Sequence, residues 1–222
     1  MKNKKETNVF LTYLLLTFVI ICSIYKYKTI FLEPNNVLEI SISNLIYPFT
    51  FLFTILFFRK NSFKDTHKVI IKTALTVLVF TCIVSLLNSI PGSYFSREAD
   101  LALKSIFTPN YFMIGSTPIY YPDILSTISF TLLFYFSHIL LIILYEAMEP
   151  FTYKFVAFSL SMFIPYALDT ICYTTITSTF NDVEFTKLIT NLTSNFVLVV
   201  IYSIIITLLY LLFSRKKVRS NH

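Results

Sequence analysis

The chain has 222 residues, 55% of them hydrophobic, with a mean hydropathy of +0.70 and charges gathered into a few short segments. Such a distribution cannot coat a soluble surface, so the sequence reads as a polytopic integral membrane protein that forms one transmembrane domain over residues 1–222. The formal charge of +6 does not argue for nucleic acid, because the basic residues crowd beside apolar runs, where they set orientation in a lipid bilayer.

Met1-Lys2-Asn3-Lys4-Lys5 precedes a first apolar run, 9–25. Its charge and length resemble a signal peptide, but no small-x-small cleavage site follows, and a retained first helix is expected. Further runs cover 42–58, 69–90, 124–145, 155–180 and 192–213. Crossing a hydrocarbon core of about 30 Å takes roughly 17–25 helical residues, which makes six transmembrane helices the expected all-α architecture. Unpaired backbone groups cannot be left in lipid, and alternating strands are not the pattern of these runs.

With the amino terminus inside, 13 of the 18 Lys and Arg fall in cytoplasmic segments and five outside, Lys26, Lys28, Arg97, Lys104 and Lys187. Both termini are then cytoplasmic and the protein is multi-pass. The tail from Arg215 to Arg219 reads as an anchor near anionic lipid. The longest connection, 91–123, carries Pro91, Pro109, Pro118 and Pro122 with Tyr111, Phe112, Tyr120 and Tyr121. An aromatic belt at the outer interface is one reading, and a gating lid is another.

Cys22, Cys82 and Cys172 all fall inside apolar runs without a CxxC pair. They read as packing residues, so neither a disulfide nor a metal site is expected, and no cofactor. No phosphate-binding loop, HExxH or GxSxG is present, which argues against an enzyme and leaves any energy source to an ion gradient or another chain. The sequon at Asn191 matters only in a secretory pathway.

The fifth run holds the one carboxylate expected deep in the membrane, Asp169. An acid there costs about 2.5–3.5 kcal/mol on insertion scales, which makes it a candidate functional group that should face a cavity or a partner. Tyr166, Thr170, Tyr173, Thr174 and Thr177 recur with it at helical spacing and form one stripe. Pro165 frees the carbonyl of Ser161 and should bend the helix beside it. The plainer reading is a protonated Asp169 that bonds a neighbouring helix as packing glue.

His138 lies in the fourth run, three residues after Tyr135, and could bond a ligand, relay protons or make an interhelical contact. In the second run Thr50 and Thr54 are one turn apart and could share a face with Asn44 and Phe51. Each Thr could equally bond its own i−4 carbonyl. Asn195 in the sixth run could reach the same cavity. The candidate substrate-binding residues are therefore Asp169, Thr170, Tyr166, Tyr173, Thr54, Phe51 and His138.

Two stretches carry a resemblance. The run Tyr47-Pro48-Phe49-Thr50-Phe51-Leu52-Phe53-Thr54, followed by a basic loop through His67 and Lys68, resembles the second-span signature of the queuosine precursor transporter family (VUT, vitamin uptake transporter-like). The segment from Ser161 to Thr170 is similar to that family's fifth span, where Ser opens the run and Asp-Thr closes it. Length, six runs and terminal orientation agree along the whole chain. Ile55 stands where the family's second-span Asp is expected, Asn61-Ser62 replaces an aromatic-Gly turn, and His138 to Leu141 falls on a Gln-x-Leu-Asp pattern.

The resemblance implies a bacterial inner-membrane importer of a 7-deazaguanine queuosine precursor. Asp169 would accept the ring N–H and exocyclic amine, and Tyr166, Tyr173 and Phe51 would stack on the flat ring. A substrate-capturing subunit energised by a separate ATPase stays open, as does a non-transporting structural protein. Whether the chain forms a homo-oligomer is also open.

Overall fold

The computed structural model describes residues 2–25, 29–31, 39–88, 110–114, 117–121, 124–180 and 185–215. The framework is helical: α1 (Lys2–Tyr25), α2 (Ile42–Ile46), α3 (Pro48–Phe58), α4 (Phe63–Asn88), α5 (Ile124–Met148), α6 (Lys154–Phe180) and α7 (Phe185–Arg215). By length and composition, four stretches can cross a membrane: Phe63–Ile83, Thr127–Met148, Lys154–Ile176 and Leu188–Phe213. The first two apolar helices are shorter, Asn8–Cys22 and Ser43–Phe58. At 1.5 Å per residue they reach roughly 22–24 Å, short of a full hydrocarbon core.

Two strand pairs lie in the connections, which the sequence reading did not foresee. Strand β1 (Thr29–Phe31) pairs antiparallel with β2 (Glu39–Ser41), and β3 (Asn110–Ile114) with β4 (Thr117–Tyr121), in a register that sets Tyr111 opposite Tyr120. Gly115-Ser116 between β3 and β4 has the composition of a two-residue hairpin turn, the signal that could have found it. Pro118 falls within β4. Lys26, Lys28, Pro91, Arg97, Lys104, Pro109, Pro122 and the tail after Arg215 lie outside the described residues.

Hydrophobic periodicity sets which face of each helix turns inward. Along α5 the buried positions are Thr127, Phe130, Thr131, Phe134, Ser137, His138, Leu141, Ile142 and Tyr145, a three-four alternation that keeps one seam against the bundle. On α7 Val199, Ser203, Ile206 and Tyr210 are buried, whereas Val200, Ile201, Ile204, Ile205 and Leu208 face out. The outward faces of α4, α5, α6 and α7 are rich in exposed Ile, Leu, Val and Phe. A surface of that kind suits lipid, not water.

The short α3 is the hub. Its sequence is apolar all round apart from Thr50 and Thr54, which is the pattern of a helix enclosed on every side. It packs against α1, α4, α5, α6 and α7, and those five follow one another around it as neighbours. Phe18 of α1 meets Phe53 edge-on at 5.0 Å. Pro48 lacks an amide proton, so the ladder breaks between α2 and α3, yet Tyr47 keeps helical angles (φ −53°, ψ −40°) and the two pieces run on as one rod.

Local chemistry explains the remaining joints. Ser62 caps α4 by accepting the Asp65 amide at 3.2 Å while its hydroxyl reaches the Asp65 carboxylate at 2.9 Å. This is a serine N-cap, with the Asp65 carboxylate held on the capping hydroxyl, at the position where the resembled family has an aromatic-Gly turn. His67 Nε2 and the Tyr135 hydroxyl, 2.9 Å apart, tie α4 to α5. At the far end of α3 the Tyr145 and Tyr210 hydroxyls meet at 3.1 Å, Phe158 stacks on Tyr210 at 4.3 Å, and the Arg59 guanidinium lies 5.5 Å from the Tyr210 ring centre. The helix α6 is unbroken through Pro165.

Candidate functional site

Three helices converge on Asp169. Its stripe on α6 is inward: Tyr166 and Thr174 are buried and Asp169, Thr170 and Tyr173 half-buried, while Ile164, Leu168 and Ile171 on the opposite side are exposed. The side chain of Thr177 lies outside the described residues. Although Asp169 as a residue is only half-buried, its Oδ1 is shut away from solvent and has no hydrogen-bond partner among the described residues. The hydroxyls of Tyr47 and Ser137 engage the carboxylate. They also meet each other at 3.2 Å. A carboxylate has about four lone-pair sites, so this one retains acceptor capacity on a dry face of the bundle.

Tyr47 is the centre of an aromatic cluster. Its ring centre lies 5.4 Å from Phe51, 5.9 Å from Phe130, 6.0 Å from His138 and 6.3 Å from Tyr166. Phe51 stacks on the His138 imidazole at 4.5 Å with a 12° interplanar angle, and Tyr166 leans on Phe51 at 5.6 Å. Tyr47 and Ser137 are not among the residues that the sequence singles out as candidates. The available signal was the i, i+4 spacing from Tyr47 to Phe51, which puts both on the inner face of the α2–α3 rod.

The nominated residues separate into two groups. Phe51, Tyr166 and His138 gather around Tyr47 and through it around Asp169, and Thr170 follows Asp169 on the same helix. Tyr173 sits one turn further on, edge-on to Phe130 at 6.2 Å. Thr54 is buried one turn along α3 from Thr50, with its hydroxyl donated to the Thr50 carbonyl at 2.9 Å. Both ring nitrogens of His138 are engaged within the protein: Nδ1 is 2.8 Å from the Phe134 carbonyl and Nε2 is 3.0 Å from Thr50 Oγ1. Ile55 and Leu141, where acids would be expected from the resemblance, are fully buried members of the hydrophobic core.

A second polar thread ties α2, α6 and α7 beside the site. The Asn44 amide donates to Asn195 Oδ1 at 3.0 Å, the Asn195 amide donates to Thr174 Oγ1 at 3.1 Å, and the Tyr166 hydroxyl reaches the Asn44 carbonyl at 3.5 Å. Asn195→Leu removes both side-chain bonds of the bridge. We expect it to cost about 0.5–1.5 kcal/mol, the range for interhelical hydrogen bonds. Unfolding of the detergent-purified protein measures this, with the exposed Thr193→Ala as the neutral control.

Among the described residues no group of His, Cys, Asp and Glu could hold a metal ion. What the site presents is hydrogen-bond acceptors and aromatic faces. Compared with protein-family models, with curated proteins and with solved structures, the chain finds no match in any of the three.

Proposed function

We propose that this chain is a secondary-type membrane transporter that imports a small planar nutrient, with a 7-deazaguanine queuosine precursor such as 7-cyano-7-deazaguanine as the best fit. The observation that carries the reading is the buried Oδ1 of Asp169, an acceptor without a partner beside aromatic rings. A guanine-like edge presents a ring N–H and an exocyclic amine side by side, and a carboxylate accepts both at once. A buried acceptor left unfilled costs about 1–3 kcal/mol, which a ligand with two donors recovers. Tyr166 and Tyr173 flank Asp169 at i−3 and i+4 and offer flat faces for the ring.

The loss of acids at Ile55 and Leu141 places recognition on Asp169 with the Tyr47 and Ser137 hydroxyls behind it. On this reading the protein is multi-pass in a bacterial inner membrane, with both termini cytoplasmic, as the 13-to-five partition of basic residues favours. The two short helices would cross where α3 is enclosed by protein and needs no match to the full bilayer thickness.

The test is uptake of labelled 7-cyano-7-deazaguanine by vesicles containing the purified chain alone. Accumulation in those vesicles is the expected result. Uptake that requires an added ATP-hydrolysing partner would make the chain a capture subunit instead, and absence of both binding and uptake would sink the proposal.

A further inference from the structure

The turn between α5 and α6 is short and aromatic. Glu149-Pro150-Phe151-Thr152-Tyr153 joins two helices that are each long and apolar enough to cross a membrane, one stretch ending at Met148 and the next beginning at Lys154. Phe151 is 87% and Tyr153 80% exposed, and the 42%-exposed Phe155 stacks on the Tyr153 ring at 6.2 Å with the planes 18° apart. Other aromatic side chains at this end of the bundle are enclosed: Tyr145, Phe158 and Tyr210 have no exposed surface. The rings on the turn project away from that packed layer, and a contiguous exposed patch of this kind marks a contact surface.

The donors of the turn are already paired. The Glu149 N–H donates to the Tyr145 carbonyl at 2.9 Å, those of Phe151 and Thr152 both donate to the Met148 carbonyl at 3.1 Å, and Pro150 has none to donate. The Thr152 hydroxyl donates to the Met148 carbonyl as well, at 3.0 Å. Unpaired donors are what exclude a loop from the apolar side of a bilayer, and from Glu149 to Thr152 each N–H is bonded within the protein or missing.

Charge is balanced too. Lys154 Nζ lies 3.3 Å from Glu149 Oε1, so an ion pair closes the base of the turn, and the tip between these two residues carries no formal charge. The connection sets Glu146 and Glu149 against Lys154, whereas the segment with Lys64, Lys68 and Lys72 is strongly basic. It therefore lacks the positive excess that holds a loop against anionic headgroups. Aromatic rings attach to a membrane surface without that charge, the amphipathic Tyr at headgroup level and the Phe just beneath it.

We propose that Phe151 and Tyr153, backed by Phe155, form a lipid-inserting tip that anchors the α5–α6 hairpin in the bilayer interface, at the depth of about 5–10 Å where interfacial apolar groups settle. The partner is the lipid surface itself, whatever its headgroup charge. Because α5 carries Ser137 and α6 carries Asp169, the anchor sets the depth at which the candidate site is held. The inference rests on the chain lying in a membrane and not on its cargo.

The chain contains no Trp, so Phe151→Trp introduces a single indole that reports on this tip alone. If that variant folds poorly, Tyr153→Trp takes its place. The full chain is placed in nanodiscs of phosphatidylcholine, and in parallel of phosphatidylcholine with phosphatidylglycerol, with lipid brominated either near the headgroup or near the bilayer centre. Emission should be blue-shifted, and acrylamide should quench the indole about threefold less than it quenches free tryptophan amide in the same buffer. Bromines near the headgroup should quench more than those near the centre, and the two lipid mixtures should agree. Emission and acrylamide quenching like those of indole in water would place the tip in solvent and overturn the proposal. Insertion only with phosphatidylglycerol would make the attachment electrostatic and overturn it as well. Protection in native membranes but not in lipid alone would give the tip to a protein partner, again against the proposal, and so would strongest quenching from the bilayer centre, which would bury the turn in hydrocarbon.

Discussion

Asp169→Asn should lower affinity for 7-cyano-7-deazaguanine by about 100-fold or more and leave the folded protein as stable as before, or more so. Two charge-assisted hydrogen bonds are worth about 1.5–3 kcal/mol each, and every 1.4 kcal/mol is a factor of ten in affinity. Asparagine keeps one acceptor but turns an amine toward a ligand donor, so one bond is lost and a repulsive contact replaces it. Stability moves the other way because the native carboxylate carries a buried oxygen without a partner. A neutral amide of the same shape removes a desolvated charge. Binding by calorimetry and unfolding in the same detergent read the two quantities. If Asp169 were packing glue, the signs would reverse: stability would fall and binding would not change. That outcome would refute the ligand-anchor assignment.

The existence and order of the helices were legible because an apolar run bounded by charge is a strong, local signal. The runs 124–145 and 155–180 correspond closely to α5 and α6. Helix ends were less legible: α7 begins at Phe185, ahead of the expected 192, through a polar stretch in which Thr190 and Thr193 turn their hydroxyls onto the Thr186 and Ile189 carbonyls of the same helix. The inner face of α6 could be read because i, i+3, i+4 spacing is a property of one helix. Which helices face one another could not, since rotation and neighbour choice are set by packing between elements distant in sequence. Tyr47 and Ser137, separated by 90 residues, meet only because α3 occupies the centre. The enclosure of α3 was signalled only by an unbroken apolar circumference, which a lipid-facing helix would share.

The same centrality makes Phe51→Ala the most damaging single truncation we expect in this chain, at about 3–5 kcal/mol. Phe51 has no exposed surface, and its ring contacts His138 face to face, Tyr47 edge-on at 5.4 Å and Tyr166 at 5.6 Å. In lipid, apolar transfer contributes little to helix association, because the chains outside are as apolar as the side chains within. What alanine forfeits is dispersion contact, and a void lined by rings that cannot relax inward loses it outright. The hub position compounds this, since α3 touches five helices besides α2, with which it is continuous, and cannot shift toward the gap without opening another contact. Phe51→Leu should cost about 1.5 kcal/mol, as it keeps most of the volume but not the flat platform under His138. Phe151→Ala, at 87% exposure, should stay within about 0.5 kcal/mol of the parent. Reversible unfolding in mild detergent ranks the three. Equal stability of Phe51→Ala and Phe151→Ala would mean that α3 does not lie at the centre of the bundle. It would also remove the packing that holds Tyr47 between Asp169 and His138.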